Sequence, residues 1–238
     1  MAIEIIPWDK ASPSDFLLFH HLPKTAGTAV SSGLENYYGA ENYKWYHGPA
    51  GALEEIVSGT KLSAVGGHFH LSHRTVAEID RAMVVITLFR EPVDRVISNY
   101  YYLRNNDQHH LHPIAMENSL KDIYDKGLGR KMQVENELVR MVSRTGVASK
   151  KLSSAKQTID SYTFFGLQEQ TQVMQLLFKR FYNADFVIPI LVARGLRPSV
   201  EQVDLDTIGL IKEHNTEDIE LYNYAKEVYE RKLSQEWK

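Results

Sequence analysis

The stretch Phe16-Leu-Leu-Phe-His-His-Leu-Pro-Lys-Thr-Ala-Gly-Thr28 limits the possible fold more than any other part of the chain. Its apolar run, Phe16 to Phe19, has the length and composition of a buried strand. A turn follows from Pro23 to Thr28, and then Val30, Leu34 and Tyr37 recur at helical spacing, so a helix starts near Gly27. Strand, small-residue turn and helix N-terminus aim several backbone N–H groups at one point, which suits a phosphate. Lys24 adds a full positive charge at the mouth of that cradle. The nucleotide-triphosphate loop G-x-x-x-x-G-K-[ST] is absent, because no Gly-Lys pair occurs anywhere and here the lysine precedes the glycine. The alternative reading is an ordinary βα turn with a solvated lysine.

Further strands are predicted at Leu62 to His70, ending in a Gly-Gly-His turn, at Met83 to Arg90, and at Tyr162 to Gly166. Helices are predicted around Leu53 to Val57, over Thr75 to Arg81, from Pro92, over Val134 to Val142 and over Gln170 to Phe181. Two more close the chain, near Asp206 to Glu213 and Glu217 to Ser234. Tyr43 to Gly51 and Asn105 to Pro113 read as loops, Ser143 to Ser161 as a polar connection, and Asn183 to Val200 as irregular. Strands alternating with helices predict an α/β fold with a three-layer parallel sheet. At 238 residues a single domain over 1–238 is the expectation.

A net charge of −3 supplies no global attraction to nucleic acid. The middle is locally basic, with nine Lys/Arg against five Asp/Glu from Leu120 to Asp160, which fits an anionic ligand or solvated helix faces. Without cysteine there is no disulfide, zinc ribbon or thiol catalysis. The N-terminus is too short and acidic for a signal peptide, and no apolar run reaches the roughly 18 residues of a membrane span. A cytoplasmic protein is expected.

The second informative stretch runs from Phe89 to Arg104. Arg90 ends a central strand, where open α/β sheets place their ligands. Ser98 lies two helical turns past Pro92, roughly 10 Å along the axis. A guanidinium spans much of that gap, so Arg90 and Ser98 can hold one phosphate between them, the planar fork donating two parallel hydrogen bonds. The alternative is a salt bridge from Arg90 to Glu91 or Asp94.

These residues carry a resemblance. His-Leu-Pro-Lys-Thr-Ala-Gly-Thr resembles the 5′-phosphosulfate loop of sulfotransferases that use 3′-phosphoadenosine 5′-phosphosulfate (PAPS), and Phe-Arg-Glu-Pro-Val-Asp-Arg-Val-Ile-Ser is similar to their 3′-phosphate motif. The match comes nearest to the carbohydrate branch that includes heparan sulfate 2-O-sulfotransferase. Gly67-His68-Phe69 matches that branch's Gly-His turn, and Asn136 to Ser143, Phe165 to Glu169 and Asn215 to Tyr224 follow in the family's order. The resemblance implies a P-loop nucleotide-kinase-like sheet and sulfuryl transfer to a hydroxyl acceptor such as a saccharide. It implies that Lys24, Thr25, Ala26, Gly27 and Thr28 grip the 5′-phosphosulfate. Arg90 and Ser98 would take the 3′-phosphate, and Arg197 would belong to a late loop over the adenosine. Ala26 departs from the usual glycine, which is tolerable unless the position needs positive φ. The Golgi enzymes' membrane anchor has no counterpart in the sequence.

In such a reaction Lys24 and the loop amides stabilise charge on the leaving oxygen, and His68 is the expected general base, with His70 in reserve. His70, Arg104, Asn136 and Arg140 are candidates for the acceptor cleft. His68, His70 and His73 have spacing seen in metal sites, but sulfuryl transfer needs no metal and none is expected. A packing role for His68 is the other alternative. A nucleotide or small-molecule kinase, or a catalytically silent nucleotide-binding protein, are the competing functions; the first lacks its Gly-Lys-[ST].

Overall fold

The computed structural model describes residues 4–46, 62–73, 81–183, 187–188 and 197–237. Among them, β1 (Leu17–His20), β2 (Tyr43–Tyr46), β3 (Ala64–Gly67), β4 (Val84–Phe89) and β5 (Phe164–Leu167) form one sheet. The strand order is β2-β3-β1-β4-β5, and every pairing is parallel. β1 is central, with Leu17 opposite Ala64 on one side and Val84 on the other. Every residue of β1, β3, β4 and β5 is buried. Successive side chains point to opposite faces, so both faces of the sheet are covered, as the predicted α/β layering requires.

The flanking helices are α1 (Gly27–Tyr38), α2 (Pro92–Asn105), α3 (His112–Glu117), α4 (Leu120–Asp125), α5 (Glu137–Val142), α6 (Lys151–Ser161), α7 (Thr171–Tyr182), α8 (Leu205–His214) and α9 (Thr216–Gln235). One hydrophobic core surrounds the sheet. A second cluster joins α2 to α3, α4 and α8 through Val96, Ile97, Ala115, Ile123 and Ile211.

Several expectations need correction. Tyr43 to Tyr46 is an edge strand rather than loop. Its pairing depends on Gly67, where a Cβ would lie 2.4 Å from the Tyr46 carbonyl oxygen. The polar connection Ser143 to Ser161 contains α6, which buries only Ala155, Thr158 and Ile159, a stripe with a single large aliphatic residue among polar neighbours. The loop from Asn105 to Pro113 gives way to α3 at His112, with Pro113 in its first turn. α5 begins at Glu137 rather than Val134, because Asn136 takes left-handed backbone angles. The helices expected around Leu53 to Val57 and over Thr75 to Arg81 lie outside the described residues, as does most of Asn183 to Val200.

Candidate active site

The site lies where connections part. The chain leaves β1 toward β2 on one side of the sheet, and leaves β4 toward β5 on the other. A crevice opens at the C-terminal ends of two such neighbouring parallel strands. The Lys24 turn follows β1, and Arg90 follows β4.

Within the turn, Thr25 is buried and its hydroxyl donates to the Leu22 carbonyl at 2.8 Å, bracing the loop on itself. Lys24 and Ala26 both have positive φ, 66° and 65°. Ala26 is the N-cap of α1 and caps nothing with its side chain, so no side chain caps the first turn of α1, although the Ala29 amide donates to the Ala26 carbonyl at 3.1 Å. Ala26 therefore occupies a backbone position where glycine has a conformational advantage. Thr28 is exposed beside it. Gly27 serves a different purpose: a Cβ there would fall 1.9 Å from the His21 ring.

Arg90 joins the two loops. Its Nη1 donates to the Lys24 carbonyl at 2.8 Å, while Nε donates to Asp94 Oδ2 at 2.8 Å. Arg197 donates to the other oxygen of Asp94 at 2.6 Å. The salt-bridge alternative and the loop-to-loop contact are thus both present. Asp94, Ser98 and Tyr102 are spaced four apart on α2 and form one stripe. The stripe meets the Lys24 turn at both ends, through Arg90 and Asp94 at one and through Tyr102 at the other, whose ring centroid lies 3.8 Å from Lys24 Nζ. Ser98 sits between these contacts. Burial, and then the charges of Arg90 and Arg197, bring the Lys24 ammonium down to about 8.

On the other side of β1, His68 follows β3 directly. Its Nδ1 lies 3.1 Å from the His21 carbonyl oxygen. A carbonyl only accepts, so Nδ1 carries the proton and the acceptor lone pair belongs to Nε2. His20 is fully buried between the Tyr162 hydroxyl and the Phe69 carbonyl, both 2.7 Å away, and burial lowers it to about 3. It is a neutral structural histidine. His70 turns toward α5, its Nδ1 3.3 Å from the Arg140 carbonyl oxygen, and burial lowers its pKa. No group of three or more metal-ligating side chains converges among the described residues, so His68, His70 and His73 do not form one.

The remaining acceptor candidates divide. Arg140 comes close to His70, but its guanidinium pairs with Glu137 Oε2, at 2.5 Å. Burial outweighs that pairing and raises Glu137 to about 7. Asn136 is structural, since its Oδ1 accepts from the Asp218 amide at 3.1 Å and its own amide donates to Asn215. Arg104 is committed to the α2–α3 junction, donating to the Ala115 carbonyl at 2.8 Å and to the Tyr100 hydroxyl. Asn136 and Arg104 are thus both engaged in contacts between helices and loops. Asp94 was foreseen only as a salt-bridge partner of Arg90, His21 and Tyr102 were given no assigned role, and Trp45 was missed in the sequence. The spacing of four from Arg90 was the signal for Asp94, while Trp45 carried none.

Fold and site together define a parallel α/β protein with a cluster of cationic side chains at its strand ends, where such sheets commonly bind phosphates. No protein-family model matches the chain. It is similar to heparan-sulfate 6-O-sulfotransferase 1 of Homo sapiens, 38% identical over 81 residues, covering 34% of this chain and 20% of the relative. Heparan-sulfate 6-O-sulfotransferase 1-B of Danio rerio is 35% identical over 81 residues, with the same coverage. Heparan-sulfate 6-O-sulfotransferase 2 of Danio rerio is 35% identical over 78 residues, covering 33% of this chain and 17% of the relative. The match thus spans about a fifth of these relatives' length. The relatives are carbohydrate sulfotransferases by name, and they do not specify the 2-O branch to which the motifs pointed.

Proposed function

We propose that the protein is an O-sulfotransferase that moves a sulfuryl group from PAPS to a saccharide hydroxyl. The observation that supports this reading most is the bond from Arg90 Nη1 to the Lys24 carbonyl, which joins the two loops read as phosphate anchors. Arg90 and Arg197 both pair with the Asp94 carboxylate, and burial, then the charges of these two arginines, lowers the Lys24 pKa. A ligand with two separate anionic groups supplies the charge this cluster lacks. The uncapped amides of α1 and Lys24 suit the 5′-phosphosulfate, with Thr25 to Thr28 as the cradle. Arg90 and Ser98 suit the 3′-phosphate, with Arg197 beside them.

PAPS supplies an activated sulfuryl group. His68 Nε2 takes the proton of the attacking hydroxyl as the new O–S bond forms and the bond from sulfur to the bridging oxygen breaks. Lys24 and the loop amides stabilise the negative charge left on that oxygen, which departs with adenosine 3′,5′-bisphosphate. The names of the relatives support a saccharide acceptor and a 6-hydroxyl; the Gly-His turn at His68 supports a 2-hydroxyl.

Labelled sulfate donor offered to a panel of saccharides tests the reading and separates the two positions. Transfer to none of them, or a melting temperature raised more by magnesium ATP than by adenosine 3′,5′-bisphosphate, refutes it in favour of a kinase or a silent binder. His68→Ala is expected to lower kcat while nucleotide affinity stays nearly intact.

A further inference from the structure

His21 is buried, yet neither of its ring nitrogens has a hydrogen-bond partner among the described residues. A buried unpaired polar group costs about 1–3 kcal/mol, so an apolar ring would serve packing better. The loop also makes room for this imidazole by carrying no side chain at Gly27. The His21 ring lies 4.4 Å from that of His68, centroid to centroid, and 5.2 Å from that of Trp45 on β2. Trp45 in turn meets His68 at 5.7 Å with the rings nearly perpendicular. The three rings are in mutual contact, and His68 is the one that follows β3 at the edge of the crevice.

We propose that His21 and Trp45 form an aromatic collar that positions His68 and stabilises the positive charge it acquires on taking the acceptor's proton. This rests on the reading of His68 as general base. A cation within about 6 Å of an aromatic centroid is attracted to the ring's negative face, most strongly by indole. His21 can serve only as a neutral ring. Burial, then His68, His20 and Lys24, hold it well below the ordinary histidine value, so it does not compete for the proton. Among the described residues, the titratable groups near His68 include His21 and His20 at the end of β1, both neutral, while Trp45 on β2 carries no charge; Lys24 acts on His21.

The test uses Trp45→Leu, at a half-buried edge-strand position, and His21→Leu, each beside its conservative Phe variant. NMR titration of His68 is expected to show a midpoint lowered by about half a unit in the Leu variants and mostly restored by Phe. Turnover is expected to fall about threefold in the Leu variants with unchanged affinity for adenosine 3′,5′-bisphosphate. In a His68→Ala background the same substitutions are expected to cost nothing further. An unmoved midpoint, or losses that persist without His68, overturns the collar. If the wild-type protein transfers sulfate to no acceptor, the enzyme reading fails while the titration still judges the collar.

Discussion

Ala26 holds φ 65° and ψ 24° at the entrance to α1. A residue with a Cβ pays roughly 1–2 kcal/mol in that conformation, whereas glycine adopts it freely. Ala26→Gly is therefore expected to stabilise the protein by about 1 kcal/mol, after allowing for the greater entropy of glycine in the unfolded chain. A fall in the denaturation midpoint would show that the alanine methyl does more in packing than it costs in backbone strain. Lys24 sets a different expectation. Its pKa, about 8 when folded, lies below the ordinary 10.5, so between these values the unfolded chain binds more protons and stability rises with pH. Phosphate binding has the opposite sign, because it favours the charged ammonium. Affinity for adenosine 3′,5′-bisphosphate should fall as pH rises through about 8, and at pH 9 (~9, one unit above that value) binding should take up a proton. Calorimetry in buffers of different ionisation enthalpy measures both; equal affinity on the two sides of this range would remove Lys24 from the phosphate site.

Among elements, α5 and α9 exchange caps. The Asp218 carboxylate accepts from the Leu138 and Val139 amides at 3.0 and 2.8 Å, satisfying the start of α5 that Asn136 leaves open. The Asn136 side chain returns the bond to the Asp218 amide. Arg95, fully buried on α2, lies 3.9 Å from the same carboxylate and donates to the Gln133 carbonyl. Burial raises the Asp218 pKa while Arg95 and the two amides oppose the shift. Removing the carboxylate strands a guanidinium and two amides together. Asp218→Ala is expected to cost about 3–5 kcal/mol in chemical denaturation, and a loss under about 1 would show that the exchanged caps are dispensable. This polar network holds α2 against α5 and α9, and so fixes the helix that presents Asp94, Ser98 and Tyr102 to the phosphate loop.

For the molecule as a whole, the sheet brings residues 66 positions apart, Lys24 and Arg90, into direct contact. Arg90→Ala should weaken adenosine 3′,5′-bisphosphate binding by about tenfold or more, as expected for loss of a charge-assisted contact, and leave a 5′-monophosphate nearly unaffected. Equal losses for both nucleotides would mean that Arg90 acts only through the Lys24 carbonyl. The apolar runs of β1, β4 and β5 and the helices α7, α8 and α9 were legible because their periodicity is strong. β2 was not, since an edge strand of Tyr, Lys and Trp acquires its conformation from its neighbour. α6 was hidden by its polar composition. Lys24, Arg90 and His68 announced themselves as motif residues, whereas Asn136 and Arg104 look equally functional in sequence and are occupied by helix caps and junctions.

The amino-acid order by itself determined the local chemistry: a strand that ends in a lysine-bearing turn, a helix that opens behind an arginine, and a histidine after two glycines. Those features are short-range, set by propensity, turn sterics and the period of apolar residues. Only the tertiary structure decided that β1 lies between β3 and β4, which brings Arg90 to one flank of the Lys24 turn and His68 to the other. It also decided that His21 lies buried against both the loop and His68. Strand order and burial arise from contacts between segments far apart in the chain, and no local pattern records which distant partner a buried face will meet.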